Sequence, residues 1–299
     1  MDPLADWLVT AGTTLARLVR TRLAPPWGMK IDSRGQVVLH VVAAGSCWVR
    51  ATSTTPRRLL QGDLVVLPHG DGHELADERD TPAEALESVL ARRRAPAGAP
   101  ATTLVCGIYS LDGQIARPML RALPKVVLLP AERIRVHPEL GAILSLLIGE
   151  VERPEPGAEL LLRHLFESLF VYLVRAWLAE TGDAPAGWLS ALRDVPITRA
   201  LSEMHARPGK EWSVEALARV AGLSRAAFAR RFAEALGEPP LTYLGRWRMG
   251  LAARLLVESD ATLAEVAARV GYDSEFAFSR AFKRIRGVAP SVFRQAAHA

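Results

Sequence analysis

The spacing of hydrophobic positions changes along this chain of 299 residues. Between residues 37 and 129, short apolar runs are separated by Gly, Pro and Asp, as in VVLHVVA, SCWVRA, DLVVLP, TLVCGIYSL and KVVLLP. Runs with such breaks predict β-strands that form a sandwich or a barrel. From Pro138 onward the apolar residues recur every three or four positions, which predicts helices.

One predicted helix, within AELLLRHLFESLFVYLVRAWLAE at residues 158–180, is unusually apolar. Its main stripe recurs at steps of three and four residues: Leu162, Leu165, Leu169, Leu173 and Trp177. A helix of this kind forms either a dimer seam or a cover for the core of its own domain, and we favour the dimer. The segment TGDAPAG that follows, residues 181–187, predicts a linker.

The strongest pattern is an internal repeat near the C-terminus. The segment SVEALARVAGLSRAAFARRFAEALGEPP starts at Ser213 and returns as TLAEVAARVGYDSEFAFSRAFKRIRGVAP, which starts at Thr262. Each copy contains a glycine that can end a first helix and a serine that can cap a second. The repeat therefore predicts two helix-turn-helix units.

The second helix of each unit is predicted to contact DNA. The two phenylalanines of each copy lie four residues apart and therefore face inward. The opposite, outward faces and their caps supply the predicted contacts: Ser224, Arg225, Ala226, Ala229 and Arg230 in the first copy, and Ser274, Glu275, Phe276, Ser279, Arg280 and Lys283 in the second. Residues in these positions can enter a major groove.

The distribution of charge agrees with a polyanionic partner. Residues 190–299 carry 17 Lys and Arg against 11 Asp and Glu, whereas the residues before them carry 20 against 21. The whole excess of positive charge thus lies in the segment that holds the repeat. Most of the basic residues are Arg, whose planar guanidinium suits phosphate and guanine. An Arg-rich composition alone would produce a similar bias.

The region from about residue 188 to 294 resembles the DNA-binding module of AraC/XylS-type transcriptional regulators, above all through GYDSEFAFSRAFKRIRGVAPSVFR. The preceding part is similar to the cupin-type sensor of one branch of that family, through APPWG, GDLVVLPHGDGHELAD and LVCGIYSLDG. The resemblance implies an α+β protein, in which an N-terminal cupin-like β-barrel sensor with flanking helices precedes an all-α tandem helix-turn-helix domain. The predicted boundaries are 1–137 for the sensor, 138–180 for the connector and dimerisation helices, 181–187 for the linker and 188–299 for the DNA-binding domain.

The same resemblance implies a sequence-specific transcriptional regulator and not an enzyme. We expect it to bind double-stranded promoter DNA as a homodimer, to act on RNA polymerase as an activator, and to respond to an unknown small effector or oxidant. The rivals are a metal-dependent cupin enzyme with a helical appendage and a non-specific nucleic-acid-binding protein. The start, MDPLADWL, lacks the basic residues of a secretory signal, and no run is long enough to span a membrane. We therefore expect a cytoplasmic protein without a membrane partner.

The sensor carries part of a cupin signature. GDLVVLPHGDGH, from Gly62 to His73, fits the second cupin motif, G-x5-P-x-G-x2-H, which implies that His73 points toward the barrel mouth. The first motif, which supplies two His and a Glu in metal cupins, is not recognisable beyond His40. A site made of His40 and His73, with a Cys or His69 as the third candidate, is short of ligands, so we predict neither a metal nor a cofactor.

The two cysteines lie in the predicted sensor. If residues 44–45 form a two-residue hairpin turn, Val42 pairs with Cys47, and His40 becomes a diagonal neighbour of Cys47. A thiol beside an imidazole can shift toward thiolate and become oxidisable, although a buried strand cysteine is most often a core residue. Both interpretations stay open. The candidate residues for effector or redox sensing are His40, Cys47, His73 and Cys106.

Overall fold

The structure, a computed structural model, describes residues 2–33, 35–52, 54–91, 100–120, 123–180 and 191–298. By packing, the chain divides into two units. A sheet unit comprises residues 14–110 and 123–182, and a helical unit comprises residues 1–13, 111–122 and 183–299. Two short segments of the predicted sensor domain are therefore grouped with the helical unit. The predicted linker, residues 181–187, lies outside the described residues.

The sheet unit is built on two sheets, in which all described strand pairs but one are antiparallel. The described strands are β1 (Thr14–Leu23), β2 (Gly28–Ile31), β3 (Val37–Ala44), β4 (Ser46–Ala51), β5 (Arg57–Leu60), β6 (Leu64–Leu67), β7 (His73–Ala76), β8 (Glu84–Ala85), β9 (Thr102–Ser110) and β10 (Val127–Leu129). One sheet has the order β1-β9-β3-β6-β10 and the other β5-β4-β7-β2-β8. The pairing of β2 with β8 is parallel. Apolar side chains from both sheets share one core, so the sheets face each other.

The helices of the described chain fall into the same two units. The sheet unit has α2 (Leu86–Ala91), α4 (Ala131–Ile134), α5 (Pro138–Glu152) and α6 (Ala158–Glu180). The helical unit has α1 (Pro3–Thr10), α3 (Gly113–Leu120), α7 (Val195–Ala206), α8 (Val214–Ala221), α9 (Arg225–Leu236), α10 (Pro240–Glu258), α11 (Leu263–Arg269), α12 (Glu275–Arg286) and α13 (Pro290–His298). No described helix is long and apolar enough to cross a membrane.

The apolar stripe of α6 is buried inside the sheet unit. The buried residues of the stripe and of its flanks are Leu162, Phe166, Leu169, Phe170, Leu173 and Val174. Phe166 lies against β9, since a Cβ added at Gly107 would come within 2.6 Å of its ring, and the Tyr109 hydroxyl donates to its carbonyl oxygen at 2.5 Å. The stripe therefore covers the core of its own unit, and it is not free to form a dimer seam.

The predicted hairpin between β3 and β4 is wrong. β3 pairs with β6 and β9, whereas β4 pairs with β5 and β7, so the two strands lie in different sheets. Gly45, with φ +78°, links them, and a Cβ there would lie 2.9 Å from the Ala101 carbonyl oxygen. A glycine can make this close crossing between sheets as readily as a hairpin turn. The short link between β3 and β4 therefore did not reveal which strands pair with each of them.

The helical unit contains the two predicted helix-turn-helix units, which confirms the predicted fold class. The first consists of α8 and α9, and the second of α11 and α12, with α10 between them. In the first copy Phe228 and Phe232 are fully buried, and Phe232 meets the ring of Tyr243 on α10 edge-on. In the second copy Phe278 and Phe282 share a core with side chains of α10 and α11. The paired phenylalanines thus face inward because they pack each helix-turn-helix unit against α10, the helix between the two units.

Candidate nucleic-acid interface and buried thiol-imidazole cluster

The second helix of each helix-turn-helix unit, α9 or α12, is the one predicted to contact DNA, and we call it the recognition helix. The first recognition helix, α9, begins and ends at defined residues. The Ser224 hydroxyl caps it by accepting a hydrogen bond from the Ala227 backbone N–H at 3.3 Å. The preceding helix ends at Gly222, whose φ of +70° is in the left-handed region. This turn between α8 and α9 holds the N-terminus of α9 at the surface.

The second recognition helix, α12, is held in the same way. Ser274 accepts from the Ala277 backbone N–H at 3.1 Å. Its partner helix α11 starts with a reciprocal capping box, in which Thr262 accepts from the Glu265 N–H at 3.2 Å and Glu265 accepts from the Thr262 N–H at 2.8 Å. Both copies therefore present a capped helix N-terminus, the part of a recognition helix that contacts base edges.

Most of the predicted DNA-contacting side chains lie at the surface. The exposed ones are Ser224, Arg225, Ala226, Arg230, Ser274, Glu275, Phe276, Arg280 and Lys283, and the half-buried ones are Ala229 and Ser279. Ala226 and Arg230 in the first copy, and Phe276 and Arg280 in the second, lie across the helix from the buried phenylalanines. This arrangement follows from the four-residue spacing of those aromatics, because residues four apart share one helix face.

The basic residues on these faces differ in their neighbours. Arg225 forms an ion pair with Glu215, and Arg230 lies 3.8 Å from Glu234 on an exposed helix surface. Exposed pairs of this kind are weak and can exchange for a phosphate or a base edge. Sequence reasoning missed the exposed Arg284 of α12, which lines a surface depression together with Lys283 and other residues. Its position four residues after Arg280 was the signal that could have identified it.

A chain of contacts in the sheet unit joins three of the predicted sensing residues. His40 on β3 is the direct cross-strand partner of Cys106 on β9, and its Nδ1 lies 2.7 Å from the Cys106 Sγ. The other nitrogen, Nε2, lies 2.7 Å from Nε2 of His73, which comes from the facing sheet. The His73 Nδ1 lies 3.4 Å from the Asp71 carbonyl oxygen. The cluster therefore connects the two sheets through their shared interior.

One assignment of protons satisfies every contact in this chain. The Cys106 thiol donates to Nδ1 of His40, His40 donates from Nε2 to His73, and His73 donates from Nδ1 toward the Asp71 carbonyl. Burial lowers the pKa of His40 well below its usual value and lowers the pKa of His73 to about 4. Burial also raises the pKa of the Cys106 thiol. At neutral pH the cluster therefore consists of a thiol and two neutral imidazoles.

Cys47 belongs to the same core as Cys106 but lies on β4, in the other sheet. Both thiols are free and buried, and burial raises the pKa of Cys47 to about 12. The predicted placement of His40 as a diagonal neighbour of Cys47 on adjacent strands is wrong, because the crossing at Gly45 puts their strands in different sheets. The thiol that contacts His40 is Cys106, whose position on a strand distant in sequence could not be found from local spacing.

The described residues contain no group of three or more His, Cys, Asp or Glu arranged to hold a metal ion. The two nitrogens of His40 contact different partners, Cys106 and His73, so the cluster is a linear chain of contacts and not a set of ligands around one point. The remaining ligand candidate, His69, contacts the Leu123 carbonyl oxygen at 2.9 Å through Nε2.

Comparison with known proteins covers both units. A protein family described as Cupin matches residues 2–179, and one described as Helix-turn-helix domain matches residues 217–296. A putative AraC-like transcription regulator of Streptomyces lividans is 32% identical over 99% of this chain and 98% of its own length. The HTH-type transcriptional regulator AlkR of Acinetobacter baylyi is 32% identical over 90% of this chain and 91% of its own. Among solved structures, the DNA-binding domain of AdpA in complex with a target DNA is 36% identical and covers 34% of this chain and 91% of that one, with a TM-score of 0.33.

Proposed function

Because this chain belongs to the AraC-type transcriptional regulators that carry an N-terminal cupin domain, we propose that α9 and α12 both contact specific base pairs of promoter DNA. The observation that carries the proposal is the exposed, serine-capped N-terminus that each copy presents opposite its buried phenylalanines. The full-length relatives are named as transcriptional regulators, which supports a regulator and not the metal-dependent cupin enzyme.

The helix between the copies supports binding to successive grooves. α10 has 19 residues, and at 1.5 Å per residue it is about 28 Å long. This length approaches one turn of DNA, about 34 Å, so helices packed on its two halves can reach neighbouring major grooves on one side of a duplex. A single chain would then contact two segments of one promoter.

The DNA contact is tested with Arg230→Ala. Arg230 is exposed on the first recognition helix, and an arginine in this position pairs best with guanine O6 and N7. We expect full-length Arg230→Ala to lose about 1–3 kcal/mol of discrimination at particular base pairs. The measurement is competition between the upstream region of its own gene and a random duplex.

The matched control is Arg231→Ala, the next residue, whose guanidinium contacts the Asp194 carboxylate at 2.5 Å. We expect it to leave discrimination between sequences unchanged. An equal loss on specific and random duplexes would make Arg230 a phosphate contact. In a nuclease protection experiment, a wild-type protein that protects no specific DNA segment from cleavage would refute the proposed function.

We also propose that the sheet unit senses a small effector or a thiol-reactive compound, with Cys106, His40 and His73 as the responsive group. The support is the hydrogen-bonded chain that crosses the core between the sheets. A peroxide can pass one oxygen to the Cys106 sulfur, which becomes a sulfenic acid while the peroxide leaves as water or an alcohol. A polar sulfenic acid in this packed core would disturb the contact with His40 and, through it, both sheets.

The sensing proposal is tested by Cys106→Ser and Cys47→Ser in the full-length protein. DNA affinity and labelling of sulfenic acid are measured before and after a stoichiometric peroxide. If the thiols sense oxidants, each substitution is expected to blunt the change in affinity, with the larger effect at Cys106. If wild type and both variants behave alike, the thiols are core residues, and the sensor responds to a small ligand.

Dimerisation, action on RNA polymerase and a cytoplasmic location complete the proposed function. Dimerisation is tested separately from DNA binding, because the apolar stripe of α6 is buried within one chain.

A further inference from the structure

One phenylalanine of the helical unit lies in water. Phe276, in the first turn of α12, has 72% of its surface exposed, whereas Phe278 and Phe282 on the same helix are fully buried. The two buried rings fill the core, so folding of the helix does not require a ring at position 276. A single exposed aromatic is unremarkable on an ordinary surface, but this one lies on the face proposed to contact DNA.

The other copy provides an internal comparison. Phe276 is the second residue after the Ser274 cap, and the residue in the same place after the Ser224 cap is Ala226. The two recognition helices have similar caps and cores, so this difference in the exposed side chain changes their surface chemistry and not their fold. It gives α12 a large apolar group near the tip that enters a groove.

Arg280 lies one helical turn after Phe276 and packs on it. The Arg280 guanidinium carbon is 5.6 Å from the centre of the Phe276 ring, within the range of a cation-π contact. The pair therefore forms one unit with an apolar part and a planar set of hydrogen-bond donors. In the major groove the apolar partner of a phenylalanine is the C5 methyl of thymine, and the bidentate partner of an arginine is guanine.

We propose that Phe276 contacts the C5 methyl group of a thymine, and that Arg280, held against its ring, pairs with a guanine in a neighbouring base pair. This inference rests on the proposed function, because it requires α12 to enter a major groove. The two side chains are in contact, so they would reach adjacent base pairs, which are about 3.4 Å apart along the helix axis. Phe276 is thus a specificity-determining residue of the second helix-turn-helix unit, with no counterpart in the first.

The test removes the methyl group alone. Duplexes are selected from a random pool with the full-length wild-type protein, and each thymine of the selected site is replaced singly by deoxyuridine. At the thymine that Phe276 contacts, we expect wild-type affinity to fall about fourfold, which corresponds to about 0.8 kcal/mol for one buried methyl-sized group. At the neighbouring guanine, 7-deazaguanine removes the N7 acceptor and should also weaken binding.

Variants assign each effect to its side chain. Phe276→Ala is expected to bind the thymine and deoxyuridine duplexes equally, and Phe276→Leu to keep part of the difference because it keeps an apolar side chain. Arg280→Ala should remove the sensitivity to 7-deazaguanine. Arg231→Ala, in the other recognition helix, is the control and should retain both sensitivities, because its guanidinium contacts Asp194. The melting temperature of Phe276→Ala should equal that of wild type, because the ring is exposed.

The outcomes separate this inference from the proposed function. Specific binding that is the same with thymine and deoxyuridine at every position overturns the role of Phe276 and leaves the proposed function standing. A methyl effect that persists in Phe276→Ala also overturns it, because another residue must then make the contact. Failure of the wild type to select any sequence refutes the proposed function itself.

Discussion

Several arginines of the helical unit hold the fold together and are not exposed on the predicted DNA-contacting faces. Three arginines of the helical unit donate to backbone carbonyls: Arg248 to Pro208 at 2.7 Å, Arg286 to Met249 at 3.1 Å and Arg294 to Leu256 at 3.1 Å. The Pro208 carbonyl lies in a turn, the Leu256 carbonyl near the end of α10 and the Met249 carbonyl in the middle of α10, and each bond fixes the orientation of its guanidinium. Such arginines add to the charge that attracts a polyanion, but they are already committed to the fold.

His205 on α7 is a second residue whose role is set by burial. Its Nε2 lies 2.7 Å from the Tyr243 hydroxyl, and its ring stacks on that of Trp247 with the centres 3.6 Å apart. Burial lowers the pKa of His205 to about 3, although the Asp6 carboxylate lies 3.8 Å from Nδ1. The folded helical unit therefore holds a neutral imidazole at all but strongly acidic pH.

This shift predicts how stability depends on pH. At pH values below the usual histidine pKa of about 6.5, His205 is protonated in the unfolded chain but not in the folded chain. The stability that depends on His205 is therefore complete above pH 6.5 and falls as the pH falls toward 3. We expect His205 to contribute a loss of about 2 kcal/mol between pH 6.5 and 5. Denaturant unfolding at the two pH values measures it. His205→Gln should show a smaller loss, whereas His164→Gln, at an exposed position, should match wild type. Equal losses in all three proteins would contradict the prediction.

At the scale of elements, α10 joins more than the two copies. Besides the recognition helices, α1 and α3 pack against α10. These two helices precede β1 and follow β9 in the chain. A Cβ added at Gly250 would lie 2.5 Å from Ile115 of α3, so a glycine permits this approach. Arg246 of α10 donates to the Gln114 carbonyl oxygen at 2.9 Å. The helical unit thus includes two pieces of the chain that the predicted domain boundaries place in the sensor.

The ion pair between Asp112 and Arg286 links one of these pieces to α12. Arg286 Nη1 lies 2.5 Å from Asp112 Oδ2, and the arginine side chain is only 6% exposed. Asp112→Asn keeps the hydrogen bond from the Gln114 N–H and removes the charge, which leaves a buried guanidinium without its counterion. We expect the helical unit to lose about 3 kcal/mol of unfolding free energy.

The control for this prediction is Asp194→Asn. Asp194 also caps a helix, α7, but its partner Arg231 is half exposed, so the loss should be below about 1 kcal/mol. Thermal or denaturant unfolding of the full-length variants provides the comparison. Similar losses in the two variants would show that the Asp112 pair is no more important than a surface ion pair.

At the scale of the whole molecule, the predicted dimer needs a surface that α6 still exposes. Leu160 and Leu161 at the start of α6 are 61% and 50% exposed, whereas Leu169 in the apolar stripe is fully buried. Leu161→Glu is therefore expected to convert a dimer to a folded monomer in sedimentation experiments. Leu169→Glu should instead unfold the sheet unit, because it buries a charge in the core. A wild type that sediments as a monomer at high micromolar concentration would refute dimerisation.

Local patterns in the sequence were enough to specify several elements of this protein. The repeat, its serine caps and the four-residue spacing of Phe228 with Phe232 and of Phe278 with Phe282 specified two helix-turn-helix units and their exposed faces, because helix periodicity and capping depend on neighbours within a few residues. The strand-rich sensor followed in the same way from short apolar runs and their breaks. The family resemblance added the cupin fold.

Contacts between residues far apart in the chain could not be predicted from these local patterns. The sequence suggested that His40 lies beside Cys47, but the pairing of β3 with β9 brings it to Cys106, and the facing sheet supplies His73. The same holds for the burial of the α6 stripe in its own unit and for the grouping of residues 111–122 with α10. Strand pairing and helix packing join segments far apart in the chain, and a local pattern of apolar residues is compatible with several such partners.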